Sequence, residues 1–334
     1  MKRRTRALLA LGLTVLLGSH ALAQDVKMRL AHVFPEQSSV GAAANKFAEL
    51  AAERSNGRIQ VAVFHAGQLG GDEAIGRELV RGTIDLALVN PNSMVGMDPM
   101  LDFHILPYIA SSNEEADRVF YGEENIIHTT LKDALAKHRI RVLGYFENDF
   151  RAISNSKHAV KTVDDLKGLK LRVVPSQSLR LFFQKAGAQV VTLPFPEIFT
   201  ALQQGTVDGQ ENGVILTHQA RFFETQKFVT ISNHSYVMST IAASERSLGK
   251  LSKDDQALLA AIGQEVGQWQ VQANRANVAG ALDELRKAGL TIDELSPEAV
   301  QGFRGLAEEV WLELTPVYGK ERVDALRALV AKSS

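Results

Sequence analysis

Short hydrophobic runs and helical stretches alternate along the first 90 residues. The pattern predicts strands at residues 28–33, 58–64 and 84–89. Helices are predicted between them, one capped by Ser38 or Ser39 and one by Asp72. The third strand is almost entirely apolar, as expected when both faces of a strand are covered. This alternation is typical of a doubly wound α/β unit with a parallel sheet.

The same alternation returns in the second half of the chain. Strands are predicted at 139–147, 170–174, 189–193 and 228–231, with helices at 113–121, 124–137, 176–187 and 196–204. The β-rich run 236–243 could return the chain to the first unit. Residues 254–287 carry apolar positions three or four apart and predict one long amphipathic helix, and 297–332 predict further helices.

The fold predicted is therefore α/β, with two lobes and a cleft between them. At about 100–200 residues per domain, 334 residues fit two lobes. We assign 24–147 plus 237–276 to lobe I and 148–236 plus 277–334 to lobe II. The long helix 254–287 would then span both lobes.

The N-terminus predicts export. Four basic residues precede a twelve-residue apolar run at 7–18, and Ala21-Leu22-Ala23 fits a cleavage site. Residues 1–23 are thus predicted to be a signal peptide cleaved after Ala23, although an N-terminal anchor helix is the alternative. Removing four of the 37 basic residues leaves 33 against 38 acidic residues, a formal charge of −5. The prediction is a soluble periplasmic protein.

Composition and motifs exclude several classes of function. The chain has no cysteine, which excludes disulfides, thiolate metal sites and cysteine catalysis. It has no basic stripe for nucleic acid and no nucleotide, zinc-protease or serine-hydrolase motif. We predict no cofactor, no metal, no catalytic residue and no nucleic-acid partner.

Arg172 is the most informative single residue. It lies in a predicted central strand, where a guanidinium loses water and needs an anion. The anion is either a ligand carboxylate or a structural partner, Glu197 or Glu211. The role of the glycine-rich turn 67–71 also has two interpretations. Its backbone NH groups either bind an anion, or the segment is simply a tight turn.

Several motifs resemble one family over almost the whole mature chain, the DctP-type periplasmic substrate-binding proteins of TRAP (tripartite ATP-independent periplasmic) transporters. They are the turn 67–71, the segment 150–157 (FRAISNSK), the segment 165–173 (DLKGLKLRV) and the block 193–212 (LPFPEIFTALQQGTVDGQEN). The long ordered block 193–212 carries most of the resemblance. The chain departs from the family in having Gly213 where proline usually follows the asparagine.

The resemblance implies a ligand site between the lobes. The family's carboxylate-binding arginine falls on Arg172, its second arginine on Arg151, its asparagine on Asn212 and its packing aromatic on Phe195. The loop after the third strand faces the rest of the ligand. The full predicted ligand-binding set is Arg172, Arg151, Asn212, Phe195, Asn90, Asn92, Ser93, His32, Glu73 and Asn148.

The function implied is that of a monomeric extracytoplasmic receptor. It would bind a dicarboxylate, a sugar acid or a keto or hydroxy acid and deliver it to the small and large TRAP membrane subunits. Two alternatives are an exported enzyme that acts on an organic acid in the cleft, with Glu73 or Glu211 as its base, and the ligand-sensing part of a signalling system.

Overall fold

The chain folds around two separate β-sheets. A computed structural model describes residues 25–333, so the predicted signal peptide, 1–23, lies outside the described residues. Within 25–333, no helix is both long and apolar enough to cross a membrane. The two sheets are the mixed α/β architecture with two lobes that the hydrophobic pattern predicts.

The first sheet has the strand order β2-β1-β3-β10-β4. Its strands are β1 (Val26–His32), β2 (Ile59–Phe64), β3 (Leu86–Val89), β4 (Ile140–Phe150) and β10 (Tyr236–Ser244). Four of them are parallel, and β10 runs antiparallel between β3 and β4. The prediction that 236–243 returns the chain to the first unit is confirmed.

The second sheet repeats this plan with the order β11-β9-β5-β8-β6-β7. Its strands are β5 (Ile153–Asn155), β6 (Lys170–Val173), β7 (Gln189–Thr192), β8 (Gly209–Gln210), β9 (Phe228–Ile231) and β11 (Thr291–Glu294). Only β5 is antiparallel to its neighbours. In each sheet the antiparallel strand is the one that the chain forms after its first crossing from the other sheet.

Twelve helices of the described chain cover the sheets. They are α1 (Ser39–Arg54), α2 (Asp72–Arg81), α3 (Asn113–Phe120), α4 (Ile126–Lys137), α5 (Gln177–Lys185), α6 (Ile198–Gln203), α7 (Val214–Gln219), α8 (Glu245–Leu248), α9 (Lys253–Ala276), α10 (Val278–Lys287), α11 (Pro297–Tyr318) and α12 (Lys320–Ser333). The side chain of Ser38 accepts a hydrogen bond from the amide of Gly41 and caps α1 as predicted.

The segment 254–287 is not one helix, as the pattern predicted, but two. The break lies at Asn277, whose side chain donates to the carbonyl of Ala273 at 2.8 Å and so competes with the helical hydrogen bonds there. Before the break, α9 packs on α1 and β4 of the first sheet. After the break, α10 packs on α7, beside the second sheet. The segment therefore reaches both lobes, with Asn277 at the point of crossing.

The chain ends on two helices that contact different parts of the molecule. α11 packs on α5, whereas α12 packs on α3 and α4. Helices α3 and α4 fall within 24–147, the range predicted for lobe I. The division into 24–147 plus 237–276 and 148–236 plus 277–334 stays a prediction. Both terminal helices depart from it, because Trp311 and Tyr318 of α11 also donate to the carbonyl of Pro107 and to Asp102.

Candidate functional site

The carboxyl ends of parallel strands from both sheets carry the predicted site residues. In the first sheet these are the ends of β1, β3 and β4, and in the second sheet the ends of β6, β7 and β8. Open α/β sheets bind ligands at such ends, because the loops there are free to carry polar groups. The eight predicted residues at these ends are buried: His32, Asn90, Asn92, Ser93, Asn148, Arg151, Arg172 and Asn212.

Arg172 lies in β6, between β8 and β7, and is 1% exposed. Its Nε and Nη2 donate to one acceptor, the carbonyl oxygen of Leu193, at 2.9 and 2.6 Å. Its Nη1 is buried and has no protein partner. Burial lowers the pKa of the guanidinium to about 9, because the carboxylates around it only partly offset the lost hydration. Arg172 therefore presents a buried cationic donor that is paired with no protein carboxylate among the described residues.

The structural ion pair considered for Arg172 belongs to Arg151 instead. Nε and Nη2 of Arg151 both donate to the carboxylate of Glu211, and Nη2 also reaches Oδ1 of Asn212 at 3.2 Å. Among the described residues, no carboxylate oxygen lies within 4.0 Å of the guanidinium of Arg172. The predicted alternatives for Arg172, Glu197 and Glu211, are therefore wrong as direct partners.

Glu211 is held by groups from three elements. Besides Arg151, it accepts from the amide of Val174 at 2.9 Å and lies 3.5 Å from Nε2 of His234. Burial alone would raise the pKa of Glu211, but Arg151 and His234 outweigh burial and lower it to about 2. The carboxylate is ionised and neutralised, so it is a poor general base.

The turn after β3 places two asparagines and a serine inside the protein. Residues Pro91–Met94 form a short 3-10 helix that follows Asn90. Asn92 is 1% exposed, and neither its Oδ1 nor its Nδ2 has a protein partner. Buried polar groups are normally hydrogen-bonded, so Asn92, like Arg172, has unused hydrogen-bonding capacity.

Asn90 is fixed by an internal network. Its Oδ1 accepts from Asn148 Nδ2 and from Ser239 Oγ, the latter at 2.5 Å. Its backbone amide and its Nδ2 both donate to the carboxylate of Asp72 at 3.3 Å. Asn148 and Asn90 therefore hold each other in place across β4, β10 and β3.

Asp72 is a residue that the sequence analysis missed. The sequence predicts Asp72 as the cap of a helix, but the N-cap of α2 is Gly71, and Asp72 is the first residue inside the helix. Its side chain is buried, and this raises its pKa to about 6 against hydrogen bonds from Asn90 and Ser93 and the charge of Arg172. The positive charge of Arg172, in the second sheet, thus lowers the pKa of a carboxylate in α2, which follows the first sheet's β2.

Glu73 does not join this cluster. Its side chain is about half exposed and pairs with Arg77 at 2.6 Å, one helical turn further along α2. The role of Glu73 in ligand binding stays a prediction, but Asp72 and not Glu73 is the buried member of this pair, because consecutive helical residues point in different directions.

His32 has no ring nitrogen left for a ligand. Its Nδ1 accepts from the amide of Phe34 at 3.2 Å, so the proton is on Nε2, which meets Nδ1 of His65 at 2.9 Å. Burial, with a smaller contribution from the charge of His65, lowers the pKa of His32 to about 3. His32 is therefore neutral and orients His65.

Phe195 joins the two lobes through aromatic contacts. Its ring is half-buried and lies 5.8 Å from the ring of Phe34, which follows β1, and 5.8 Å from that of Phe222. The position fits the predicted packing role, which stays a prediction because no ligand contact is observed.

The glycine-rich turn packs against the other lobe. A Cβ on Gly67 would lie 2.8 Å from Cγ of Pro196, and one on Gly71 would lie 3.2 Å from Cβ of Pro194. Gly67 also has φ of 72°, which favours glycine. Pro194 directly follows Leu193, the acceptor of Arg172, so the contact between the lobes adjoins the arginine.

The comparisons agree with this architecture. The family model described as "Bacterial extracellular solute-binding protein, family 7" (DctP) matches residues 30–315. The 2,3-diketo-L-gulonate-binding periplasmic protein YiaO of Escherichia coli is 30% identical, over 86% of this chain and 86% of its own length. The C4-dicarboxylate-binding protein DctB of Bacillus subtilis is 29% identical, over 92% of this chain and 87% of its own length.

Solved structures show the same fold. The sugar acid binding protein DctPAm of Advenella mimigardefordensis, in complex with galactonate, superposes with a TM-score of 0.89 at 30% identity, covering 93% of this chain and 99% of that one. A TRAP periplasmic solute binding protein of Sulfurospirillum deleyianum with bound succinate has a TM-score of 0.86 at 26% identity, covering 92% and 99%. The chain belongs to the DctP family of bacterial extracellular solute-binding proteins, the receptors of TRAP transporters.

Proposed function

We propose that this chain captures a small organic acid between its two lobes, binds the acid's carboxylate on Arg172 and passes it to the membrane subunits of a TRAP transporter. The relatives that bind diketogulonate, galactonate, dicarboxylates and succinate support an organic acid as the ligand class.

The unpaired Nη1 of Arg172 is the observation that carries the proposal. A buried guanidinium without an anion is costly, and a carboxylate is the group whose two oxygens match two parallel guanidinium donors. Asn212 and Phe195 would lie at the edge of the same site, as a neutral donor and as packing for the carbon skeleton.

The rest of the proposed biology follows from this role. The two lobes, divided as the sequence predicts, would close on the ligand by a hinge at the chain crossings, near Asn148, Tyr236 and Asn277. The mature protein would act as a monomer in the periplasm, with no cofactor of its own. Its partners would be the acid and the small and large membrane subunits.

Calorimetric titration of Arg172→Ala and Arg172→Lys tests the proposal. Loss of one partner of a buried charge pair costs about 3–5 kcal/mol, or roughly a hundred- to several-thousand-fold in affinity. Lysine should rescue poorly, because an ammonium lacks the planar pair of donors. Arg180→Ala, which removes an exposed arginine of α5, is the matched control and should bind normally. Normal affinity in a folded Arg172→Ala variant would overturn the assignment.

The purified protein and its Arg172→Ala variant also test the alternative of an exported enzyme. The family is one of solute receptors, and the two bases considered for the enzyme do not favour general-base chemistry: Glu211 is tied to Arg151, and Glu73 is on the surface. Incubating the protein with the bound acid and recovering it unchanged is the expected result. Turnover that is lost in Arg172→Ala would favour the enzyme.

A further inference from the structure

We propose that the lobes close by a rotation at Asp149, and that the left-handed backbone of this residue belongs to the closed arrangement and opposes closure. This inference rests on the lobe closure of the proposed function. It deepens that function by naming a residue that sets how readily the lobes close.

The structure shows the two lobes in contact across the cleft. The rings of Phe34 and Phe195 lie 5.8 Å apart. A Cβ on Gly67 would lie 2.8 Å from Cγ of Pro196. We call this the closed arrangement, and the backbone angles at the chain crossings are those of the closed arrangement.

The chain is fixed to the first lobe up to Asn148. Nδ2 of Asn148 donates to Oγ of Ser239 in β10 at 3.1 Å and to Oδ1 of Asn90, which follows β3. The amide of Glu147 donates to Oε1 of Gln270 in α9 at 2.9 Å, and its carbonyl accepts from Nε2 of the same side chain at 3.0 Å. These partners belong to the first sheet, adjoin it or pack on it.

The carboxylate of Glu147 joins the other two crossings to this anchor. Its Oε1 accepts from Nδ2 of Asn274 at 3.0 Å and its Oε2 from Nε of Arg275 at 2.9 Å, both in the last turn of α9 before Asn277. Its Oε2 also accepts from the hydroxyl of Tyr236, the first residue of β10. The three crossings are therefore tied together on the side of the first lobe.

The chain is fixed to the second lobe from Arg151 onward. The guanidinium of Arg151 is paired with Glu211, and the amide of Ala152 donates to the carbonyl of Asn212 at 3.1 Å. The strand β5 of the second sheet follows at once. Residues 149 and 150 alone lie between the two anchors, so a rotation between the lobes must change their backbone angles.

Asp149 is the more distorted of these two residues. In the ladder of β4 and β10, Tyr236 pairs with Phe150. The next pair is Met238 with Glu147, so three steps of β4 face two steps of β10. Asp149 lies inside this bulge with φ of 68°, a left-handed conformation that costs free energy for residues other than glycine. Its Oδ1 accepts from the amide of Phe150 at 2.7 Å, a local bond that makes the conformation accessible to aspartate.

Gly213 makes room for this conformation on the side of the second lobe. A Cβ on Gly213 would lie 2.8 Å from the carbonyl oxygen of Phe150 and 3.1 Å from Cβ of Asp149. The residue at which the chain departs from the family's usual proline is therefore the one that packs against the left-handed segment.

Strain at a crossing shifts the balance between the open and closed arrangements. Opening that rotates Asp149 into the β region releases the strain, so the strain favours the open arrangement. A residue that tolerates left-handed angles less well than aspartate should therefore open the lobes and weaken binding. Asparagine, which tolerates these angles, should not.

Three uncharged variants separate the backbone from the charge: Asp149→Asn, Asp149→Ala and Asp149→Val. All three remove the carboxylate, and their tolerance of left-handed angles falls in that order. Because the chain has no cysteine, spin labels on Glu49→Cys in α1 and Gln203→Cys in α6 report one distance between the lobes. Double electron–electron resonance on the ligand-free protein should show more of the open distance in the alanine and valine variants than in the asparagine variant.

Calorimetric titration with galactonate, the acid bound by one of the similar structures, measures the effect on affinity. We expect Asp149→Ala to bind roughly fivefold more weakly than Asp149→Asn, and Asp149→Val to bind more weakly still. If the valine variant does not fold, the comparison of asparagine with alanine decides. Variants that differ in melting temperature but neither in the distance between the lobes nor in affinity would overturn the inference, because Asp149 would then be left-handed in both arrangements.

Asn56→Ala is the matched control. Asn56 has φ of 52° in the exposed turn between α1 and β2, away from the crossings. This variant should lose stability but keep its affinity and its distance between the lobes. An equal loss of affinity in Asn56→Ala would overturn the role of Asp149 in closure. A failure of galactonate to bind the original chain would count against the proposed function alone, and the ligand-free distances would then decide the inference.

Discussion

Glu211 forms its ion pair with Arg151 and leaves Arg172, on the neighbouring strand, without a carboxylate. The two buried arginines of this site thus differ in whether a protein carboxylate neutralises them. The charge of Arg151 is matched within the protein, so that arginine stabilises the fold. Arg172 is held in place by the carbonyl of Leu193, which orients the guanidinium but does not neutralise it.

The first prediction concerns the stability that the Arg151–Glu211 pair provides. Arg151→Ala leaves Glu211 buried and unpaired, and should lower the free energy of unfolding by about 3–5 kcal/mol in urea titrations at neutral pH. Arg77→Ala breaks the exposed pair with Glu73 and should cost about 1 kcal/mol or less. Equal losses in the two variants would contradict a special role for the buried pair.

The pair also has a defined pH dependence. The folded-state pKa of Glu211 is about 2, below its ordinary value of 4.5. A lowered pKa means that the unfolded chain takes up the proton first, so the stabilisation is present above about pH 4.5 and is lost as the pH falls towards 2. Urea titrations across this range should show a smaller acid-induced loss in Glu211→Gln than in the original protein.

The sequence predicted the scaffold well because local patterns specify it. The strand 228–231 was predicted with its observed bounds, and the cap at Ser38 is confirmed. The prediction of one long helix over 254–287 was wrong at a single residue, Asn277. Its side chain ends α9 with a local hydrogen bond, which the spacing of apolar residues cannot reveal.

The site was predictable as a set of residues but not as a set of contacts. Arg172 stands out because a cation in a central strand conflicts with its surroundings. Which arginine pairs with Glu211 depends on how the ends of β5, β6 and β8 meet, and those ends are far apart in the sequence. Asp72 was missed because a carboxylate at the start of a helix already has a sufficient local explanation as a cap.

The second prediction concerns export, since residues 1–23 lie outside the described structure. Intact-mass measurement of protein recovered from the periplasm should give a chain that begins at Gln24. A mass that still includes the basic head and apolar run would indicate an N-terminal anchor instead.

The third prediction concerns closure of the lobes. In Gly67→Ala the new methyl group would lie 2.8 Å from Cγ of Pro196, so the lobes could not approach as closely. Affinity for the ligand should fall by roughly tenfold, equivalent to about 1.4 kcal/mol. Small-angle scattering at saturating ligand should give a larger radius of gyration than the original protein does.

Gly205→Ala is the matched control for this experiment. Gly205 has φ of 68°, close to the 72° of Gly67, but a Cβ there would meet no atom within 4 Å. Both variants should lose roughly 1–2 kcal/mol of stability through backbone strain, and only Gly67→Ala should bind more weakly. Equal affinities in the two variants would contradict a closing contact between the turn and Pro196.

The last prediction follows from the electrostatic coupling between Asp72 and Arg172. Burial raises the pKa of Asp72 to about 6, and the charge of Arg172 limits this rise. A ligand carboxylate on Arg172 would cancel that charge and add a negative one, which raises the pKa of Asp72 further. Binding then takes up a proton, so affinity should fall as the pH rises from 5.5 to 8, up to tenfold for each unit by which binding raises the pKa. Calorimetry in buffers of different ionisation enthalpy measures this proton uptake directly.

Asp149, with a pKa raised to about 7 by burial and by Glu147, titrates in the same range, so Asp149→Asn is the necessary comparison. The pH dependence should disappear in Asp72→Asn and persist in Asp149→Asn, and the reverse result would place the linked proton at the crossing between the lobes and not beside the ligand.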